Sequence, residues 1–134
     1  MGKVSIYAGK GATRARDVDV ALDRMGIPYR KVDEHAVRKT ALEGCSLLIV
    51  PGGRTEEIIE ALGPNGLEKI RKFVSAGDYV GLCAGAYIAA ERVEVPRHPS
   101  GLGIINYHEE PEEGWKTPQN RSLHEAQASN LCRF

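Results

Sequence analysis

The chain has 134 residues, of which 42% are hydrophobic, so it can bury the core of one domain. It carries 18 Lys and Arg residues against 18 Asp and Glu residues, and this balance gives no net field that would favour nucleic acid or an anionic membrane surface. The longest aliphatic run, residues 47–50, is too short to span a bilayer. We therefore expect a small molecule, rather than nucleic acid or a membrane, as the partner.

The cysteines and the N-terminus indicate the compartment. Cys45, Cys83 and Cys132 are widely spaced and include no C-x-x-C pair, which disfavours a disulfide framework and a structural zinc site. No residue pattern indicates a cofactor. The N-terminus reaches glycines and charged residues within a few positions, unlike a secretory signal peptide. We expect a cytoplasmic protein.

The first ninety residues alternate between strand and helix patterns. Residues 3–7 are predicted as a strand, and the glycine-rich turn AGKGATR follows at 8–14. Apolar residues then recur at helical spacing until Gly26 ends the helix. A short strand at 29–32 and a weak helix ending near Gly44 come next.

The strand signal is strongest in the middle of the chain. Residues 46–50 are apolar at almost every position, as expected for a strand covered on both faces. The motif PGGR follows at 51–54. Two helices are predicted at 56–62 and 67–74, with Gly-Pro-Asn-Gly between them, and a strand at 78–83 then leads into a helix of small residues.

Alternating elements with short connections indicate βαβ units, and hence a parallel sheet with helices on both faces. We predict a three-layer, flavodoxin-like α/β sandwich for residues 1–108, in which 101–108 is a candidate for one more strand. Residues 109–134 are polar, contain two prolines and show little periodicity, so we expect a peripheral or partly disordered tail. The change of character near residue 109 also suggests a fold truncated at its C-terminus, in which case a homodimer would cover the missing part.

The turns that follow the strands indicate where a site should lie. All strands of an open parallel sheet end at one edge, and ligands bind in the crevice there. AGKGATR, PGGR and CAGAY each follow a predicted strand, so we expect them to meet at that edge. Gly9 and Gly11 form either a plain tight turn or an anion-binding nest, with Lys10 or Arg14 as the countercharge.

Cys83 lies where a predicted strand turns into a helix, with a glycine two positions away on each side. Small neighbours allow the sharp turn of a nucleophile elbow, and the N–H groups at the start of the helix would stabilise a thiolate. The N–H groups of Ala84 and of Gly52 and Gly53 are candidate oxyanion donors. The alternative is a buried, inert thiol.

The stretches GLCAGAY and LLIVPGGR resemble the class I glutamine amidotransferase-like superfamily, in which G-x-C-x-G holds the nucleophile and an upstream Gly-Gly loop forms the oxyanion hole. The closer resemblance is to the domain found at the N-terminus of some biotin-protein ligases. Tyr87 after the second glycine, Arg54 after PGG, and the glycines of the first turn all look like that group. Arg54 is either a solvated loop arginine or a carboxylate clamp beside the thiol. The resemblance covers about residues 3–95.

The resemblance also implies a Cys-His-Glu triad completed by a downstream H-x-E motif. His108 and Glu110 fit that motif, which makes His108 the expected base and Glu110 the residue that orients it. The protease branch of the superfamily instead places a histidine directly after the cysteine, where this chain has Ala84. That branch also has an acidic residue after the first strand, where AGKGATR has none.

Three functions therefore stay open. One is a cysteine-dependent amidase or amidotransferase, in which Cys83 attacks a small amide and the N–H groups of Gly53 and Ala84 hold the oxyanion. Another is a non-catalytic small-molecule binding or regulatory module, which the biotin-protein ligase resemblance would link to biotin metabolism. The third is a redox-sensing thiol.

Overall fold

The computed structural model describes residues 2–92 and 101–108. The predicted tail, residues 109–134, lies outside this part of the chain. Among the described residues, no helix combines the length and the apolar character that crossing a membrane requires. The elements in chain order are β1 (Lys3–Tyr7), α1 (Ala15–Met25), β2 (Arg30–Val32), α2 (Glu34–Arg38), β3 (Cys45–Val50), α3 (Thr55–Val74), β4 (Asp78–Gly81), α4 (Ala84–Tyr87), β5 (Ala90–Arg92) and β6 (Ile105–His108).

Four strands form an all-parallel sheet in the order β2-β1-β3-β4. Ser5 in β1 pairs with Arg30 on one side and with Leu48 on the other, and Val50 at the end of β3 pairs with Gly81 at the end of β4. β5 and β6 form a separate two-stranded parallel sheet. The parallel order confirms the predicted flavodoxin-like α/β sandwich.

The residues of β3 explain why its sequence is apolar at nearly every position. Ile49 faces α1 and joins the smaller core cluster, whereas Leu48 and Val50 belong to the larger cluster on the opposite face, where α2 and α3 pack. Side chains alternate between the two faces of a strand, so a strand between two helical layers needs apolar residues at both. All three side chains are buried, and the predicted double-sided burial is confirmed there.

The helical region after the PGGR turn is more continuous than the sequence predicts. α3 runs from Thr55 to Val74 and leaves helical geometry at Gly63, where φ is 65° and ψ is 177°. Pro64 then begins the second arm, and proline is tolerated at a first helical position because its missing N–H would have no partner there. The predicted interruption is real but shorter than the Gly-Pro-Asn-Gly sequence indicates.

The chain after Cys83 departs further from the prediction, because α4 ends at Tyr87 and a strand begins at Ala90. The carbonyls of residues 88–90 accept hydrogen bonds from the N–H groups of residues 102–104. A helix continuing to residues 92–94 would need those carbonyls for its own N–H groups. A distant segment of chain instead pairs with the residues that follow α4, and local sequence patterns do not report such a contact.

The turn after β1 is fixed by two side chains. The Tyr7 hydroxyl donates to the Lys10 carbonyl at 3.0 Å, and the Lys10 N–H donates to Glu34 Oε2 at 3.0 Å. Burial, together with the nearby Glu34 carboxylate, raises the pKa of Tyr7, which therefore stays a hydrogen-bond donor. Burial also opposes the charged form of Glu34, but hydrogen bonds from its own N–H and from that of Lys10 outweigh it and lower the pKa of Glu34.

We expect Glu34→Gln to lower the free energy of unfolding at pH 7 by about 1–2 kcal/mol, because a charge-assisted hydrogen bond becomes a neutral one. Since folding lowers the pKa of Glu34 below its ordinary value of 4.5, this stabilisation is present above that value and is lost as the pH falls through the lower, folded value. Urea unfolding from pH 7 down to pH 3 should show the wild type and E34Q converging. Glu43→Gln removes an exposed carboxylate and is the control; equal stabilities of wild type and E34Q at pH 7 would contradict the assignment.

Candidate functional site

The turns after β1 and β3 are locked together through their backbones. A Cβ atom at Gly53 would overlap the carbonyl oxygen of Gly11. The same Gly11 carbonyl accepts the Arg54 N–H at 2.8 Å, and the Gly52 carbonyl accepts the Arg14 N–H at 3.0 Å. The predicted meeting of AGKGATR with PGGR therefore occurs, and glycine at position 53 is what allows the two backbones to approach so closely.

Cys83 has the backbone geometry of an elbow. Its φ is 51° and its ψ is −109°, and among the described residues it is the only one other than glycine with a positive φ. Such a conformation costs about 1–3 kcal/mol and persists only where the surrounding structure enforces it. The Cys83 side chain is exposed, so the thiol is not buried as the alternative prediction supposed.

Close packing around α4 enforces this conformation. A Cβ at Gly85 would overlap the Val50 carbonyl oxygen, and one at Gly81 would overlap the Gly85 carbonyl. The Leu82 N–H donates to the Val50 carbonyl at 3.0 Å. The Tyr79 hydroxyl, whose pKa burial raises, donates to the Gly85 carbonyl at 2.6 Å. The glycines around the cysteine therefore let α4 lie directly on the ends of β3 and β4.

Backbone N–H groups lie beside Cys83 on the Gly-Gly loop and at the start of α4. Within residues 2–92 and 101–108, the N–H groups of Gly52, Gly53 and Ala84 have no hydrogen-bond acceptor. A Cβ at Gly52 would lie 3.4 Å from the Cys83 Cβ, which places the Gly-Gly loop directly against the cysteine. Unpaired N–H groups next to a nucleophile are the donors that a developing oxyanion requires.

The thiol opens into a cleft of about 450 Å³. The charged side chains at its wall are Arg14 and Asp17, which approach to 3.7 Å and are largely exposed. The sequence indicated Arg14 only as a countercharge for the first turn and missed Asp17, although the two are spaced i, i+3 at the start of a predicted helix. The described residues that line the cleft are Thr13, Arg14, Asp17, Val18, Gly52, Gly53, Leu82 and Cys83.

The other predicted binding residues have different surroundings. A Cβ at Gly9 would meet Glu34 and Tyr7, so Gly9 serves the turn after β1 and does not line the cleft. Arg54 is exposed, and its guanidinium pairs with Glu57 at 3.1 Å. The Tyr87 N–H donates to the Cys83 carbonyl at 3.0 Å, within the first turn of α4.

The predicted base lies on the second, smaller sheet. His108 is the last residue of β6, where its backbone pairs with Arg92 of β5. β5 follows directly on the helix that Cys83 begins. Glu110 and the side chain of His108 lie outside what the structure describes, so the H-x-E part of the triad stays a prediction.

The chain is similar to known proteins both in sequence and in structure. Residues 2–109 match the family model described as "Biotin-protein ligase, N terminal". Two similar curated proteins are both described as "Pyridoxal 5'-phosphate synthase subunit PdxT". The one from Koribacter versatilis is 43% identical over 59 residues, which is 44% of this chain and 30% of that protein. The one from Thermus thermophilus is 37% identical over 108 residues, which is 78% of this chain and 53% of that protein.

The chain thus spans about half the length of the longer-matching relative. A crystal structure of a peptidase from an acI-B1 Actinobacterium superposes with a TM-score of 0.58 at 15% identity, over 90% of this chain and 60% of that one. At that identity, the superposition supports the α/β fold alone.

Two substitutions at residue 83 test the strained backbone. Alanine retains the disfavoured φ, whereas glycine adopts it freely, so we expect C83G to exceed C83A in free energy of unfolding by about 1 kcal/mol. The same two substitutions at Cys45, the first residue of β3, are the control, because glycine in a strand should be less stable than alanine. Urea unfolding of the four variants measures both differences. A C83G variant less stable than C83A would contradict the elbow geometry.

Proposed function

The chain belongs to the biotin-protein ligase N-terminal family, within the class I glutamine amidotransferase-like superfamily, and from this premise we propose that it is a cysteine-dependent hydrolase or amidotransferase acting on a small amide. The observation that carries the proposal is the exposed Cys83, held at φ 51° beside N–H groups that have no acceptor among the described residues. The cleft volume of about 450 Å³ suits a small-molecule substrate.

The first half of the proposed reaction transfers the acyl group to sulfur. The Cys83 thiolate attacks the amide carbonyl carbon, so that a C–S bond forms and the carbonyl electron pair moves onto oxygen. The N–H groups of Ala84 and Gly53 donate to that oxyanion. The C–N bond then breaks, and the nitrogen leaves with a proton as the free amine. A thioester on Cys83 remains.

The proposed proton carrier is His108, oriented by Glu110. His108 accepts the thiol proton before attack and delivers it to the departing nitrogen, a transfer typically worth 10²–10⁴-fold in rate. Water or an acceptor amine then attacks the thioester and gives up a proton to His108. The thiolate leaves as the carbon–sulfur bond breaks, and it recovers the proton from His108.

Glutamine is the first amide to test, because glutamine-hydrolysing members of the superfamily have the same G-x-C-x-G motif. Both curated relatives are named as subunits of a synthase, which supports a partner protein that accepts the released nitrogen. A second copy of this chain is the other candidate partner.

Thiol labelling tests whether Cys83 is activated. We expect iodoacetamide at neutral pH to modify Cys83 roughly tenfold or more faster than Cys45, because reactivity follows thiolate character and exposure. Cys45 is the internal control: it is half-buried, and its sulfur lies 3.2 Å from the Leu47 carbonyl and 3.4 Å from the Ser5 hydroxyl. Peptide mass spectrometry over a time course measures both rates. Modification of Cys83 no faster than of free cysteine would contradict the proposal.

Turnover is tested by ammonia release from glutamine. We expect wild type and Cys45→Ala to be active and Cys83→Ala to lose about 10³-fold or more, since the acyl group then has no acceptor on the protein. Stabilisation of both wild type and C83A by glutamine in thermal unfolding, with no ammonia from either, would indicate the binding or regulatory module instead. Equal ammonia release by wild type and C83A would contradict a role for the thiol.

A further inference from the structure

Arg71, on the second arm of α3, holds the segment that leads into β6. Its Nε donates to the Leu102 carbonyl at 2.8 Å and its Nη2 to the Gly101 carbonyl at 2.9 Å. Its remaining nitrogen, Nη1, donates to Glu68 Oε2 at 3.0 Å. One planar guanidinium thus grips two successive carbonyls, a contact that the fixed donor fork of arginine allows and a lysine ammonium cannot reproduce.

The gripped segment is also tied to the stretch that follows the nucleophile's helix. Leu102 is 1% exposed within the main core cluster, and its N–H donates to the Ile88 carbonyl at 2.6 Å. The N–H groups of Gly103 and Ile104 donate to carbonyls at residues 89–90. Residues 101–104 therefore join α3 on one side to the chain leaving Cys83 on the other.

This anchoring matters because the pairing of β5 with β6 is short. They form a sheet of two strands, of three and four residues, with a register irregularity between Ala90 and Arg92. A two-stranded sheet of this size is marginal without outside support. Among the described residues, the side-chain hydrogen bonds to segment 101–105 all come from Arg71.

We infer that Arg71 is a positioning residue, which fixes the backbone of β6 and therefore the place of His108 relative to Cys83. The inference rests on the proposed function, in which His108 carries the proton. β6 begins at Ile105, directly after the gripped segment, and ends at His108. Loosening the grip would move the proton carrier and leave the elbow, which β3, β4 and α4 hold, in place.

The choice of leaving group distinguishes a displaced His108 from a distorted Cys83. Expulsion of an amine requires a proton on nitrogen, whereas p-nitrophenolate leaves from p-nitrophenyl acetate without one. At about pH 9, hydroxide removes a thiol proton without help from a histidine. A displaced His108 therefore slows acylation by an amide and spares acylation by the activated ester, while a distorted Cys83 would slow both.

The experiment compares Arg71→Gln with Lys72→Gln, which removes the same charge from the next position of α3, in the full chain. We expect R71Q to lower kcat for glutamine by about 10²-fold and to change KM by less than about threefold. Acylation by p-nitrophenyl acetate at pH 9 should change by less than about twofold. K72Q should alter neither reaction. Arg71→Lys should behave like R71Q, because the two hydrogen bonds need the paired donors of the guanidinium and not only its positive charge.

Hydrogen exchange gives a readout that does not depend on turnover. R71Q should speed exchange of the N–H groups of residues 102–104 by about tenfold or more, since two hydrogen bonds of about 1 kcal/mol each are lost, while β3 keeps its protection and shows that the fold is intact. Unchanged exchange, retained glutamine activity, or equal losses with amide and ester would overturn the inference. A wild type without glutamine activity would instead count against the proposed function, and exchange alone would then decide whether Arg71 is the anchor.

Discussion

The contact between Gly85 and the Val50 carbonyl is the constraint on which the site depends. Because neither Gly85 nor Gly81 has a side chain, the backbone of α4 can lie against the ends of β3 and β4. Because the chain packs back against the sheet almost directly after β4, it must change direction sharply at a single residue. That residue is Cys83, and its positive φ, its exposure and its position against the Gly-Gly loop all follow from this approach.

The opposite wall of the cleft is built by the same means, from backbone against backbone. Gly53 packs on the Gly11 carbonyl, and hydrogen bonds from the backbone N–H groups of Arg14 and Arg54 join the two turns. Backbone groups occupied by these contacts are fixed in place, and the neighbouring N–H groups of the Gly-Gly loop have no acceptor within residues 2–92 and 101–108. Preorganised donors of this kind stabilise a developing charge without having to reorient. The rigidity of the loop and the placement of its N–H groups therefore have a common origin.

Sequence patterns predicted the features that depend on neighbouring residues or on the geometry of a parallel sheet. The double-sided burial of residues 46–50 follows from alternation, and the meeting of three turns follows from parallel strands ending at one edge. Contacts between distant residues gave no such signal. The pairing of the residues that follow α4 depends on donors at residues 102–104, and the wall of the cleft gains Asp17 because α1 is placed beside the loop. The Arg71 grip joins residues thirty positions apart, and no periodicity reports it.

The strained backbone at Cys83 has a consequence for the native-state dynamics of the molecule. The unfavourable φ of Cys83 raises the free energy of the folded segment. Local unfolding of α4 relieves this strain, so it costs less free energy than local unfolding of an unstrained helix. α4 is also four residues long, too short to be stable apart from its contacts. The segment that carries the thiol should thus be a separate cooperative unit, opening at a lower free energy than the sheet beneath it.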